Sequence, residues 1–305
     1  MSAVPVVDLS SRAAADEVGH ACEEIGFLTA VGHGVPEALV GRMAAVSRWF
    51  FDQPEEKKRR LEGGETPGLP SYRPLRSESL AASSGRVTPP DLKESLDWGP
   101  AVPGSGWPER PQGLRSVWEQ YFAAMADLGA RLRRLFAHAL GLPEDWFEPA
   151  FVNDSSSLRV INYPDLAADA EPGQLRAGEH TDYGCMTILR TEDAPGGLEV
   201  QTRDGRWVAL EPFPDSFVVN LGDMMARWTN GRWPATLHRV GNPAAGAGSR
   251  RQTIVFFHDP RADAVIEPLV RPGEEARFEP VTAGEHVLAK AARAYEISRG
   301  RSVPS

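Results

Sequence analysis

The chain has 305 residues, 41% of them hydrophobic and 25% charged, enough to bury a sizeable core. Its 33 basic against 42 acidic side chains leave a net charge of −9, which argues against a general binder of nucleic acid or anionic membranes. No apolar run approaches the roughly 18 residues of a membrane helix. The start "MSAVPVVDLSSRAAADE" lacks a basic leader backed by an apolar stretch, and Cys22 and Cys185 are too few for a disulfide framework or a thiolate metal site, so a cytoplasmic protein is expected.

"VPVVDLS" (4–10) reads as a strand leading into a helix, where Ala14, Val18, Ala21, Cys22 and Ile25 recur at helical spacing. "FLTAVGHGV" (27–35) reads as a second strand closed by glycines. A second helix follows between Pro36 and Pro54, and the run "EEKKRR" (55–60) reads as a solvated helix end. Residues 62–112, rich in Gly, Pro and Ser, read as long ordered loops; loops of that length inside one domain are usually functional. The longest helix is expected over 114–140, with Val117, Tyr121, Met125, Leu128, Leu132, Leu135, Phe136 and Ala139 as one apolar stripe to lie against a sheet. From Ser157 the pattern changes to short strands: "SLRVINY", "CMTILRT", "LEVQT", "WVALE", "SFVVNLG", "ATLHRVG" and "RQTIVFFHD", with "DGR" and "NGR" turns between some of them. Strands at this spacing suggest a sandwich or jelly roll. A last amphipathic helix over 283–297 is expected to pack across the outside. The fold class is α+β with a mainly β core.

"AGEHTDYGCMTIL" (177–189) also reads as a strand, and alternate residues of a strand share a face, so His180 and Asp182 project together. On its own such a pair is more often an ordinary surface hydrogen bond. With the distant His238 of "RWPATLHRVGNP" it becomes a His-x-Asp…His set, two imidazoles and one carboxylate. That is the facial triad of non-haem Fe(II) oxygenases, which leaves metal positions open for a cosubstrate and dioxygen. Arg251 opens the apolar strand "TIVFF", and Thr253 lies on its face. A buried guanidinium with a hydroxyl beside it suits a carboxylate, such as the distal one of 2-oxoglutarate.

The blocks "GEHTDYGCMTIL", "GGLEVQTRDGRWVAL", "FVVNLGDMMARWTNGRWPATLHRV" and "RRQTIVFFHDP", preceded by "VPVVDLS", "ACEEIGFLTAVGHGV", "RWFFDQPEEKKRRL" and "DLKESLDWG", run in one order along nearly the whole chain. In that order they resemble the isopenicillin N synthase-like branch of the iron(II)/2-oxoglutarate-dependent oxygenases. The resemblance implies a double-stranded β-helix, or jelly roll, with iron at its mouth. It divides the chain into an N-terminal dioxygenase-type region (1–112), a long supporting helix (113–150), the jelly-roll core (151–265) and a C-terminal segment and helix (266–305). It further implies that His180, Asp182 and His238 are the iron ligands. Arg251 and Thr253 fall on the pair that grips the cosubstrate's distal carboxylate, Tyr163 on a tyrosine that often joins them, and Phe257 on an aromatic that lies against substrate in several members. Thr253 stands where serine is commoner and keeps the hydroxyl, and "AAGAGS" lengthens the gap between His238 and Arg251.

The implied reaction consumes 2-oxoglutarate and dioxygen, yields succinate and CO2, and hydroxylates a small organic molecule, with desaturation, ring closure or epoxidation as branches. The alternative is an oxidase of the same fold that uses no 2-oxoglutarate. Tyr183 beside the aspartate, Arg159, and Tyr72 and Arg73 in the loop "SYRPLR" (71–76) are the candidate substrate contacts. They suggest a substrate with an apolar body and an acidic or strongly polar group; the competing reading is that the arginines only tie loops to carboxylates. His258, after the last core strand, is a further candidate at the mouth. His33 reads as architectural, and His20, His138 and His286 as surface or capped residues.

Overall fold

The computed structural model describes residues 4–62, 71–99, 107–108, 111–165, 170–244 and 248–298. The chain runs β1 (Val6–Asp8), α1 (Ala14–Glu24), β2 (Phe27–Val31), α2 (Glu37–Phe51), α3 (Glu55–Lys58), β3 (Ser71–Arg73), β4 (Glu94–Trp98) and α4 (Leu114–Ala139). It continues through β5 (Ser157–Tyr163), β6 (Ala177–His180), β7 (Met186–Thr191), β8 (Leu198–Gln201), β9 (Trp207–Ala209), β10 (Phe217–Leu221) and α5 (Asp223–Trp228). Then come β11 (His238–Val240), β12 (Arg251–His258), β13 (Val265–Ile266), β14 (Val281–Thr282) and α6 (Ala283–Ser298).

One sheet has the strand order β1-β2-β10-β7-β12-β5-β4-β3 and a second the order β6-β11-β8-β9. Strand alternation divides the large sheet into two apolar faces. Leu158, Val160, Ile188, Ile254 and Phe256 pack on the side of α1, α2 and α4, around Trp118, Tyr121, Met125, Leu132 and Phe136. Ile161, Tyr163, Leu189, Val218 and Val255 point the other way, against Ala177, Leu198, Val200 and Val240 of the second sheet. A sheet covered on both faces explains the near-continuous apolar runs of β7, β10 and β12. The second face, between the sheets, is where the cavity opens.

Two expectations need correction. Residues 62–112 are not loops throughout: β3 and β4 extend the large sheet next to β5, and Leu80–Ser84 forms a short 3-10 turn, while 63–70, 100–106 and 109–110 lie outside the described residues. Periodicity missed these strands because their polar residues are buried by pairing. Glu94 of β4 accepts hydrogen bonds from Lys58 Nζ (2.6 Å), Tyr72 Oη (2.5 Å) and Asn162 Nδ2 (2.8 Å). That also corrects the reading of "EEKKRR" as solvated, because Lys58 is buried. In α4 Trp118 is fully buried, as is Phe136, with Val117 only partly covered.

Candidate active site

His180 is the last residue of β6 and His238 the first of β11, and the two stand directly opposite each other in the antiparallel register. Opposed residues share a face. Their imidazole centroids are therefore only 4.3 Å apart. Asp182 is not in the strand, as the sequence had suggested, but in the turn after it. That turn is pinned from outside: Asp223 N–H donates to Asp182 O (2.8 Å) and Met224 N–H to Gly184 O (3.1 Å). Gly222 permits the approach, since a Cβ there would stand 2.2 Å from Gly184 O. The fold thus turns the Asp182 carboxylate back toward the two rings.

Hydrogen bonding selects which atoms remain to bind. A carbonyl only accepts, so His180 Nδ1–H donates to Gly178 O (2.7 Å) and His238 Nδ1–H to Thr236 O (3.1 Å). Both Nε2 atoms keep their lone pairs. Asp182 Oδ2 accepts from Thr187 Oγ1 (2.5 Å) and Asn220 Nδ2 (2.7 Å), which leaves Oδ1 facing His180 Nε2 at 3.8 Å and His238 Nε2 at 3.7 Å. Two imidazole nitrogens and one carboxylate oxygen, all within 4.8 Å of one another, fit a divalent first-row metal. Burial, and then the neighbouring His238, push the His180 imidazole down to about 3, the neutral form a ligand needs. Burial alone would raise the Asp182 carboxyl, but the two imidazoles and the bonds from Thr187 and Asn220 outweigh it and lower its pKa.

The triad lies in a cavity of about 610 Å³. At one end Arg251, Thr253, Tyr163 and Thr191 meet apolar walls from Leu189, Leu198 and Val240. Arg251 is 2% exposed, and its Nη atoms donate to Gly196 O and Thr191 Oγ1, while Nε has no hydrogen-bond partner among the described residues. Burial lowers its pKa. Thr253 Oγ1 lies 3.4 Å from Thr191 Oγ1. Burial pushes the Tyr163 hydroxyl up to about 12, so it is a neutral donor.

At the other end Tyr183, Phe257, Arg159, Arg73, Glu78 and Lys93 line the wall, and Val287 and Ala291 of α6 close over it. The last helix therefore covers the cavity mouth. Arg159 holds Asp97 with Nε (2.6 Å) and Nη2 (3.0 Å) and stands over the Phe257 ring at 5.8 Å. Arg73 reaches Asp97 (2.8 Å) and Glu78 (3.2 Å), and the buried Lys93 donates to Glu78 (2.7 Å). Burial works to raise the Glu78 carboxyl, yet Lys93, Arg159 and Arg73 hold it well below the usual carboxylate range.

Two candidates fall elsewhere. Tyr72 is buried in the helix-side core with its hydroxyl on Glu94, away from the cavity. His258 also faces the helix side, an odd number of residues from Arg251. Its Nδ1 meets Ser156 Oγ at 2.9 Å and its Nε2 meets Arg133, which also grips Glu148. His33 is architectural: its Nδ1 accepts Val35 N–H (3.1 Å) and its ring packs on Phe217. Sequence reasoning overlooked Thr187 and Thr191, although both share a face of β7. It also overlooked Asn220, Glu78, Lys93 and Asp97, which carry no local signal.

Comparison with known proteins decides the family. Residues 155–260 match the 2OG-Fe(II) oxygenase superfamily, and residues 4–120 the family described as non-haem dioxygenase in morphine synthesis N-terminal. The chain is 32% identical over 291 residues to homoarginine-6-hydroxylase 2-ODD-233 of Oryza sativa subsp. japonica, spanning 88% of this chain and 86% of that protein. The chain belongs to the 2OG-Fe(II) oxygenase superfamily. This oxygenase is also 32% identical to the validamycin A dioxygenase of Streptomyces hygroscopicus subsp. limoneus, over 94% of this chain and 85% of that one. The crystal structure of the dioxygenase for auxin oxidation in rice superposes with a TM-score of 0.76 at 26% identity, covering 97% of this chain and 99% of that chain. The protein is a non-haem iron(II)/2-oxoglutarate-dependent dioxygenase of small molecules, with a double-stranded β-helix core. No described helix is long and apolar enough to cross a membrane.

Proposed function

We propose that this dioxygenase grips 2-oxoglutarate with Arg251, Thr253 and Tyr163 and hydroxylates a small molecule that carries an acidic or strongly polar group. The observation that carries the reading is one cavity with three distinct parts: a His180/Asp182/His238 triad, a buried guanidinium bonded to no carboxylate among the described residues, and a charged, aromatic far wall. A buried cation is costly until an anion joins it, which supports Arg251 as the partner of the distal carboxylate. Bound iron(II) with 2-oxoglutarate and dioxygen supplies the oxidation: one oxygen atom goes into succinate as CO2 leaves, and the other into a substrate C–H bond.

The protein's own groups do the rest. Gly178 O and Thr236 O hold the ring protons of the ligand histidines, so both Nε2 atoms stay available. Thr187 and Asn220 occupy one oxygen of Asp182 and aim the other. Leu189, Leu198, Val240 and Val255 give the cavity an apolar wall beside the triad, which lowers the local dielectric and strengthens polar contacts made there. Tyr183 and Phe257 offer aromatic faces, and Arg159 and Arg73 hold charge at the substrate end. Relatives named for homoarginine and validamycin A support polar metabolites as the class. We also place the protein in the cytoplasm without nucleic-acid or membrane partners, on its net charge of −9 and its two buried free cysteines, and we keep its division at 112, 150 and 265.

The test is a screen of polar small metabolites for succinate release that tracks product formation in the presence of Fe(II). Asp182→Ala should abolish both turnover and metal binding while keeping the circular dichroism spectrum. Near-normal activity with full metal content in that variant would refute the ligand assignment.

A further inference from the structure

Arg176 precedes β6 by one residue and its side chain is fully buried. Its guanidinium is held by main-chain carbonyls and a hydroxyl rather than by a carboxylate. Nη1 donates to Pro195 O (2.9 Å), and Nη2 to Ser249 O (2.6 Å), Ser249 Oγ (3.0 Å) and Pro164 O (3.2 Å). Nε is buried without a partner, as is Nε of Arg251. The two guanidinium carbons both approach the ring of Tyr163, at 5.8 Å for Arg176 and 5.9 Å for Arg251. One tyrosine therefore sits against two buried cations, neither of them hydrogen-bonded to a carboxylate among the described residues.

Such a pair is unfavourable without an anion. Burial, and then the charge of Arg251, lower the pKa of Arg176. Asp165 offsets part of this, but its Oδ1 is engaged by the backbone N–H groups of Ser249 and Arg250, both at 2.6 Å. A neutral side chain of similar length would fill the space without the desolvation cost of a second cation. The arrangement makes sense if a negative group enters on the Arg251 side of Tyr163, where both fields add.

We infer that Arg176 is a positioning residue for the cosubstrate: it braces Tyr163 from behind and reinforces the field of Arg251, so that this end of the cavity selects 2-oxo acids bearing a distal carboxylate over those with a neutral tail. The inference rests on the assignment of Arg251 to that carboxylate.

The experiment compares 2-oxoglutarate with 2-oxopentanoate, which has the same chain length and no distal carboxylate. Each is titrated anaerobically into the Fe(II)-loaded protein by calorimetry, alongside melting temperatures without ligand. Arg176→Gln keeps hydrogen-bond donors but removes the charge. It should lower the preference for 2-oxoglutarate about tenfold, the size of one charge interaction across about 12 Å at an effective dielectric of about 20, while 2-oxopentanoate binds within about twofold of wild type. Arg176→Lys should retain the preference. Wild-type preference in Arg176→Gln, or equal loss for both ligands, overturns the inference and leaves Arg176 a structural brace. Should Arg176→Gln fail to fold, Asp165→Asn decides, because removing the exposed offsetting acid should raise the preference about twofold and an unchanged preference counts against the field effect. Arg251→Gln separates the two layers: if it keeps full preference for 2-oxoglutarate, the underlying assignment is wrong, whereas a loss there with none in Arg176→Gln sinks only the role of Arg176.

Discussion

Thr187→Val and Asn220→Leu remove the two groups that hold Asp182 Oδ2 and leave all three triad side chains in place. Thr187→Val nearly preserves shape, whereas Asn220→Leu keeps the branching but is larger, so each variant's melting temperature separates the lost hydrogen bond from overpacking. The lost contacts are 2.5 Å and 2.7 Å long and both end on Oδ2 of an ionised carboxylate. A hydrogen bond to a charged group is worth about 1.5–3 kcal/mol, or roughly 10–150-fold in an equilibrium constant. Because both donors share one oxygen, the survivor still restrains the carboxylate after a single loss. Each single variant should therefore weaken Fe(II) binding about tenfold and the double variant about a hundredfold, within the range for outer-shell partners of metal ligands. Anaerobic Fe(II) titration by calorimetry, with Mn(II) as an air-stable check, reads this directly. Wild-type metal affinity in the double variant, at an unchanged melting temperature, would show that Asp182 is aimed by its backbone turn alone.

Three further outcomes follow from named contacts. Glu94→Leu strands the buried Lys58 ammonium and two neutral donors, and should cost about 3–5 kcal/mol in chemical denaturation; Lys58→Met in the same chain should restore at least part of it, and a loss below about 1 kcal/mol would mean that water already serves the pair. His258 is pushed down to about 3 by burial and then by Arg133, so the unfolded chain takes up its proton first. Its contribution is complete above about pH 6.5 and is lost as pH falls toward 3, at up to about 1.36 kcal/mol per pH unit; the stability of His258→Gln should fall less steeply than wild type between those limits, and parallel profiles would refute the shift. Arg159→Leu and Arg73→Leu, measured with the true substrate, should raise KM or uncouple succinate from product if either arginine binds substrate. Wild-type KM and coupling in both would leave them as ties to Asp97 and Glu78.

Much of the site was legible because metal ligation uses few residue types. His180 and Asp182 are singled out by chemistry and short-range spacing, the distant His238 by chemistry and by the order of the surrounding blocks, and the facing of Arg251, Thr253 and Phe257 follows from the two-residue period of one strand. The same period excludes His258 from the cavity, since it stands seven positions from Arg251 and so points to the helix side; treating it as a candidate for the mouth overlooked that parity. Helices α1 and α4 declare themselves by apolar spacing alone.

Local pattern determines which element forms and which side chains share its face, but not what lies opposite. That His238 meets His180 across a strand pair depends on register, which is set by burying both faces of two sheets at once. That Asp182 turns back toward the rings depends on backbone contacts from Asp223 and Met224 and on the space left by Gly222. Tyr72 looked like a pocket residue because residues 62–112 carry no period, and only the pairing of β3 with β4 directs it onto Glu94. The charges at the substrate end show the limit most clearly. Arg73, Glu78, Lys93, Asp97 and Arg159 come from three segments distant in the chain, and the covered members, Glu78, Lys93, Asp97 and Arg159, are tolerable there because they pair with one another and with the more exposed Arg73. An ion pair between distant segments leaves no spacing to read, because its energy exists only after the chain has brought the partners together and excluded water from them.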